Sequence, residues 1–241
     1  MEGIEGPGMP LDLLFADAAV EFVPRIVLSR LKGGARMGGR SGKRVLLDVA
    51  DHGYAMKGII DQRQRGRPDI LHQCMLNALE TPLAKEGNLN VFFHLPTGPV
   101  YGVAADTRVP RNYNRFVGVL AKLLEDGHVP AEPPYHIAII AQDLQEFLAL
   151  HQYTRIVLFS RTGTLCSMPN YLAQLEDNQI LCIIGAFQAG FFHEETFKAC
   201  QEYPLDLISV SPYALSAGSV AARVIYAFEL GLEKTGESDS P

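Results

Sequence analysis

The chain has no tryptophan, and only four cysteines among 241 residues. Cys74, Cys166, Cys182 and Cys200 form no CxxC pair, and three of them sit in apolar surroundings. Free, buried thiols are expected, in place of a disulfide framework or a thiolate metal site. The seven histidines are scattered, with no HExxH or paired spacing, so no metal is expected. Long apolar runs are also missing. The longest mainly apolar stretch, residues 180–192, is interrupted by Gln188 and is too short to span a bilayer, so no membrane partner is expected. No charged, apolar, small-residue signal opens the chain, which points to a cytoplasmic protein. Positive charge is in the minority, 21 Lys/Arg against 27 Asp/Glu for a net −6, which argues against a polyanionic partner. The distribution argues the other way: residues 1–115 carry a balance of +3 and the remainder −9.

What is present centres on QILCIIGAFQAGFF, residues 179–192. Residues 180–184 read as a strand buried on both faces, although so short a run also fits buried helix. Gly185 and Gly190 frame the turn that follows. Glycines at the end of a buried parallel strand let the backbone approach a ligand, and open α/β sheets place their ligands there. A second loop, residues 209–219, follows another apolar segment, 205–210. These two loops are expected to hold a cofactor. The glycine spacing of GAFQAG does not match the GxGxxG of a dinucleotide site.

Strands are expected at 11–16, 45–49, 90–94, 100–104, 155–159, 180–184 and 205–210. Helices are expected within 18–30, and over 68–79, 112–124, 137–150, 169–175, 194–202 and 216–231, with Ser216 as the last N-cap. Residues 90–94 and 100–104 form a hairpin. The glycine-rich segment 33–44 fails the P-loop spacing, with Met37 misplaced and Arg44 after the lysine, and reads as a flexible basic loop. Residues 127–134, with three prolines, are the one plausible internal boundary. Behind it strand and helix alternate three times, the mark of a parallel sheet covered on both faces.

Arg108, Arg111 and Arg115 cluster at the start of the 112–124 helix, with Pro110 marking its first turn. Cations there oppose the helix dipole, so a phosphate is expected unless nearby carboxylates neutralise them; the plainer alternative is a solvated face with surface salt bridges. In Arg67-Pro68-Asp69, the aspartate reads as the N-cap of the next helix, or as the residue that fixes the fork of Arg67 against RNA.

RGRPDILHQCMLNALETPL (residues 65–83), TRVPRNYNRFVGVL (107–120), IIGAFQAGFF (183–192) and SPYALSA (211–217) occur in this order. Together they resemble the ribosome-biogenesis methyltransferases of the SPOUT class that N1-methylate a pseudouridine in small-subunit ribosomal RNA. The resemblance runs from about residue 11 to 229. It implies an α/β fold with a C-terminal trefoil knot, helices on both faces and a β-hairpin/helix extension. It implies one domain over 1–241, with a front part (about 1–127) for RNA and a rear part (about 135–232) for cofactor. It further implies a homodimer, S-adenosylmethionine as methyl donor, and nucleolar placement if the source is eukaryotic. Carried over by motif, the cofactor would touch Leu158, Ser160, Gly185, Gly190, Val210, Ser211, Pro212, Tyr213, Ala214 and Leu215. The rRNA would be held by Arg67, Arg108, Arg111 and Arg115, with Asp69 steadying Arg67. The family's second glycine is commonly followed by an acidic residue, whereas this chain has Phe191-Phe192, and the 33–43 insertion has no counterpart in the pattern.

A sulfonium methyl is already activated, so such an enzyme need only align N1 and exclude water. Either Asp69 or solvent is expected to take the N1 proton, with Asp69 the better candidate for orienting Arg67. A different class of function, a non-catalytic rRNA-binding assembly factor, would use the same arginines.

Overall fold

The computed structural model describes residues 10–31, 44–96, 98–175 and 179–237, with side chains described to residue 231. The 33–43 segment and Thr97 of the hairpin turn lie outside the described residues. In chain order the elements are β1 Leu11–Ala16, α1 Arg25–Leu28, α2 Val49–His52, a 3-10 turn Gln62–Gln64, α3 Pro68–Leu79, α4 Pro82–Lys85, β2 Leu89–His94, β3 Val100–Val103, α5 Tyr113–Asp126, β4 His128–Val129, β5 Ile137–Ala141, α6 Leu144–His151, β6 Arg155–Leu165, α7 Met168–Leu172, β7 Ile180–Gly185, α8 Glu194–Gln201, β8 Leu205–Ser209 and α9 Ala217–Glu237.

The described strands form one sheet in the order β4-β5-β3-β2-β1-β7-β6-β8. The run from β2 to β8 is parallel, as the alternating pattern implies. β3, β5 and β4 add antiparallel strands, so the sheet is mixed. Successive strand side chains point to opposite faces. Leu13, Phe15, Phe93, Val157, Phe159, Cys182 and Ile184 therefore pack under α3, α5 and α9. Their neighbours Leu14, Ile156, Leu158, Leu181 and Ile183 pack on the other face against Phe147 of α6 and Cys200 of α8. Two apolar cores on one sheet explain why these strands read as unbroken apolar runs. Burying each large side chain stabilises the fold by roughly 1.5–3 kcal/mol relative to exposure.

Four expectations need correction. Residues 45–49 form no strand beyond a single bridge between Leu46 and Phe22. Instead the Asp48 carboxylate accepts from Ala50 N at 2.8 Å and starts α2. Residues 137–150 are not one helix. IAIIA carries no decisive period, and antiparallel pairing of Val103 with Ile137 takes it as a strand; Asp143 then caps α6 by accepting from Glu146 N at 2.8 Å. Residues 127–134 are no boundary, because His128 pairs with Ala138 in the sheet. Pro110 is not in the first turn of α5: Asn112 is the N-cap and accepts from Arg115 N at 3.1 Å. At α9, Ser216 caps as expected, its Oγ accepting from Ser219 N at 3.2 Å.

β6 runs past its expected end at Phe159. It leaves register and returns, so that both Phe159 and Thr164 pair with Ile208 of β8. A Cβ on Gly163 would sit 2.6 Å from the Ile208 backbone, so only glycine permits this crossing.

Candidate functional site

The carboxyl ends of β6, β7 and β8 open into a crevice of about 450 Å³. Ile184 and Ile208 floor it, and Ser160, Arg161, Thr162 and the loops 185–192 and 208–215 wall it. Among the described residues none of its lining carries a carboxylate. The second loop is held by its own hydrogen bonds: Ser209 Oγ donates to Ser211 O at 2.8 Å, and Tyr213 N to Ser211 Oγ at 3.0 Å. Gly190 has φ +119°, a conformation that L side chains rarely adopt, and a Cβ there would approach Gln64 Nε2 to 3.2 Å.

Of the residues singled out for cofactor contact, Ser160, Gly185, Gly190, Val210, Ser211, Tyr213, Ala214 and Leu215 line the crevice. Leu158 and Pro212 do not. Leu158 points to the opposite face of β6 and is buried with Leu181 and Ile183, and Phe159 takes the wall position. Pro212 is exposed and outside the lining.

Arg67 is the N-cap residue of α3, and Asp69 lies in the first helical turn, so Asp69 is not the cap. Nε and Nη2 of Arg67 donate to the two carboxylate oxygens of Asp69 at 2.8 and 2.7 Å. This bond, opposed by burial, holds the Arg67 guanidinium above its ordinary value; Asp48 and Tyr113 lie close enough to add to the effect. Tyr113, in the first turn of α5, donates its hydroxyl to Asp48, and burial followed by that bond raises its phenol strongly. His72 Nε2 of α3 donates to Pro110 O at 2.7 Å, and its ring stacks on Phe116 at 4.3 Å. The starts of α3 and α5, with their arginines, are thereby tied together.

The arginines are not equivalent. Arg108 and Arg115 border a second cavity of about 640 Å³, beside Lys122. Arg111 is already paired with Glu80, Nη2 to Oε1 at 3.0 Å, in an exposed bridge. In the 63–67 loop, Arg65 meets Glu21 through two bonds of 2.6 Å, so part of that loop's charge is neutralised.

The arginine-bearing segment abuts the crevice. Arg67 N donates to Ala19 O at 2.9 Å, and Ala19 N to Ala186 O at 3.1 Å, one residue beyond Gly185. The Gln64 side chain donates to the backbone carbonyl of Phe191. At the same sheet edge Asp17, fully buried at φ +52°, accepts from His193 N at 2.8 Å and Thr196 Oγ1 at 2.7 Å, pinning the start of α8 behind the first loop. Sequence reading missed Gln64, Asp17, Asp48, Tyr113 and Arg161. For Asp17 a signal existed in an isolated carboxylate closing an apolar strand; Gln64 and Tyr113 carry no local mark.

The fold and site define an α/β ligand-binding protein, with a crevice whose described lining holds no carboxylate at the carboxyl edge of its parallel strands and an arginine-bearing segment beside it. Comparison with known proteins narrows the class. The model of the EMG1/NEP1 methyltransferase family matches residues 13–229, and the chain belongs to that family. It is 35% identical over 190 residues to the ribosomal RNA small subunit methyltransferase Nep1 of Staphylothermus marinus, covering 77% of this chain and 82% of that relative. It is 32% identical to the protein of the same name from Thermococcus kodakarensis, covering 92% of this chain and 99% of the relative. The crystal structure of Archaeoglobus fulgidus Nep1 bound to S-adenosylhomocysteine superposes with a TM-score of 0.78 at 31% identity, covering 92% of this chain and 98% of that one.

Proposed function

We propose that this chain transfers a methyl group from S-adenosylmethionine to N1 of a pseudouridine in small-subunit ribosomal RNA. The observation that carries the reading is the seam: the segment bearing Arg65 and Arg67 is hydrogen-bonded to the crevice wall through Gln64–Phe191 and Arg67–Ala19–Ala186. This contact supports a methyl donor and a polyanion held as neighbours.

The crevice suits the donor. Its volume falls within the roughly 300–1,000 Å³ range of small-molecule sites. Ile184, Ile208, Leu215 and Val220 offer an apolar slot, Ser160 and Thr162 offer hydroxyls, and Arg161 offers a cation for a carboxylate. When bound, S-adenosylmethionine supplies a methyl group already activated on a sulfonium. The protein's task is to hold N1 in line with it and exclude water, so proximity does most of the work. The base has to leave its stack to reach the crevice, while Arg67, Arg108, Arg111 and Arg115 hold the backbone around it. As N1 bonds to the methyl carbon and the carbon–sulfur bond breaks, the N1 proton must depart. Both oxygens of Asp69 already accept from Arg67, which favours Asp69 as a positioning residue and solvent as proton acceptor.

The same reading includes a threaded C-terminus and a homodimer. The passage of β8 against both arms of the β6 excursion supports the first. Exposed Leu165 and Tyr226 provide apolar surface for a second copy.

The test is methylation in vitro of a small-subunit rRNA hairpin carrying either pseudouridine or uridine at one position, read by mass spectrometry of the nucleosides. Transfer to N1 of pseudouridine alone is expected. Equal transfer to uridine would overturn the assignment, and tight RNA binding without transfer would favour the assembly-factor role.

A further inference from the structure

We propose that Phe191 is the aromatic platform on which the extruded base of the RNA stacks; this rests on the rRNA-methyltransferase reading above. Phe191 is 72% exposed and lines the crevice. The loop does not need its ring for anchorage. Phe187 and Phe192 pack edge to face at 5.5 Å, and Phe192 also rests against the core under α6 and α8. Yet the position of Phe191 is closely held. Its carbonyl accepts from the Gln64 side chain, and the preceding Gly190 turns at φ +119° against that same glutamine.

Phe191 does not stand alone: Tyr213, 77% exposed, lines the same crevice, so two large rings are offered there to a partner with a flat apolar face. Two candidates share the site, the adenine of the cofactor and a base of the RNA. The floor already offers Ile184 and Ile208, 2% and 3% exposed, to the more deeply seated ligand. Phe191 stands at the mouth, bonded to the segment that carries Arg65 and Arg67. Bases of unpaired nucleic acid stack on such rings beside a cationic groove that follows the backbone. The geometry therefore assigns the ring to RNA.

The experiment measures RNA affinity at saturating S-adenosylhomocysteine for wild type, Phe191→Ala, Phe191→Leu and Phe191→Trp. Two hairpins are used, one with pseudouridine at the target position and one abasic there. Phe191→Ala is expected to bind the pseudouridine hairpin about tenfold more weakly. Phe191→Trp should restore binding and Phe191→Leu should not. On the abasic hairpin wild type and Phe191→Ala should bind alike. The proposal is overturned if Phe191→Ala matches wild type on the pseudouridine hairpin, or if the deficit persists on the abasic one. It is equally overturned if affinity for S-adenosylhomocysteine falls by the same factor, which would make Phe191 a cofactor contact. Failure of wild type to transfer a methyl group is read in a separate assay and sinks the enzymatic reading instead.

Discussion

Arg67 meets Asp69 fork to fork, two residues apart in sequence, with donor–acceptor distances of 2.8 and 2.7 Å. The pair fixes the plane of the guanidinium and leaves its remaining donors turned away from the carboxylate. Asp69→Asn is expected to weaken RNA binding about tenfold, because a charge-assisted bond contributes about 1.5–3 kcal/mol and part of that orients Arg67. Stability should fall by no more than about 1 kcal/mol, since Asp69 is half-exposed and solvent screens the pair. Anisotropy titration and urea denaturation check both parts. Full turnover at saturating RNA would exclude Asp69 as proton acceptor.

Glu80 neutralises Arg111 at the outer edge of the cationic face. Glu80→Gln should therefore tighten RNA binding severalfold at low salt and steepen its salt dependence, whereas Arg115→Ala should weaken binding and reduce the slope by about one unit. Affinity measured across a salt series decides this. A null effect of Glu80→Gln would place Arg111 outside the RNA path.

Asp17→Ala removes the acceptor of two donors, Thr196 Oγ1 and His193 N, beside a fully buried site. Unsatisfied buried donors cost about 1–3 kcal/mol each, and for the two together in a chain of this size the melting temperature should fall by roughly 4–24 °C. Because His193 ends the loop that walls the crevice, affinity for S-adenosylhomocysteine should fall as well. Calorimetry and a cofactor titration on the same variant test the two effects together.

His94 gives a pH dependence. Burial holds its imidazole at about 4, against the pull of the Asp17 carboxylate 3.6 Å from Nδ1 and a weaker one from Asp143, while His193 pushes the same way as burial. In the unfolded chain an imidazole takes up its proton near pH 6.5. Between roughly pH 6.5 and 4 the unfolded state thus binds a proton that the native state refuses, so stability falls as pH is lowered through that window. His94→Gln should flatten the slope there. Denaturant midpoints measured at several pH values on both proteins give the comparison, and equal slopes would refute it.

Much of the site was legible because its signals are local. The apolar runs of β7 and β8, the glycines after β7 and the SPYALSA loop mark a strand-end crevice within short windows, and the arginine spacing marks a cationic helix start. The IAIIA run of β5 was not legible: its extended form depends on pairing with Val103, which no local period encodes. Leu158 was misplaced for a related reason. Its alternation with Phe159 was visible, but which face held the crevice was not.

The sequence by itself determined two apolar layers around parallel strands, glycine-framed loops at their carboxyl ends, and a basic front half, since side-chain period and turn chemistry act within a few residues. Only the tertiary structure decided what those parts meet. Gln64 reaches Phe191 across 127 positions, and Glu80 cancels Arg111 across 31. Contacts at such separations arise from the packing of whole elements, and the pairing of individual charges, unlike the burial of apolar faces, leaves no pattern along the chain.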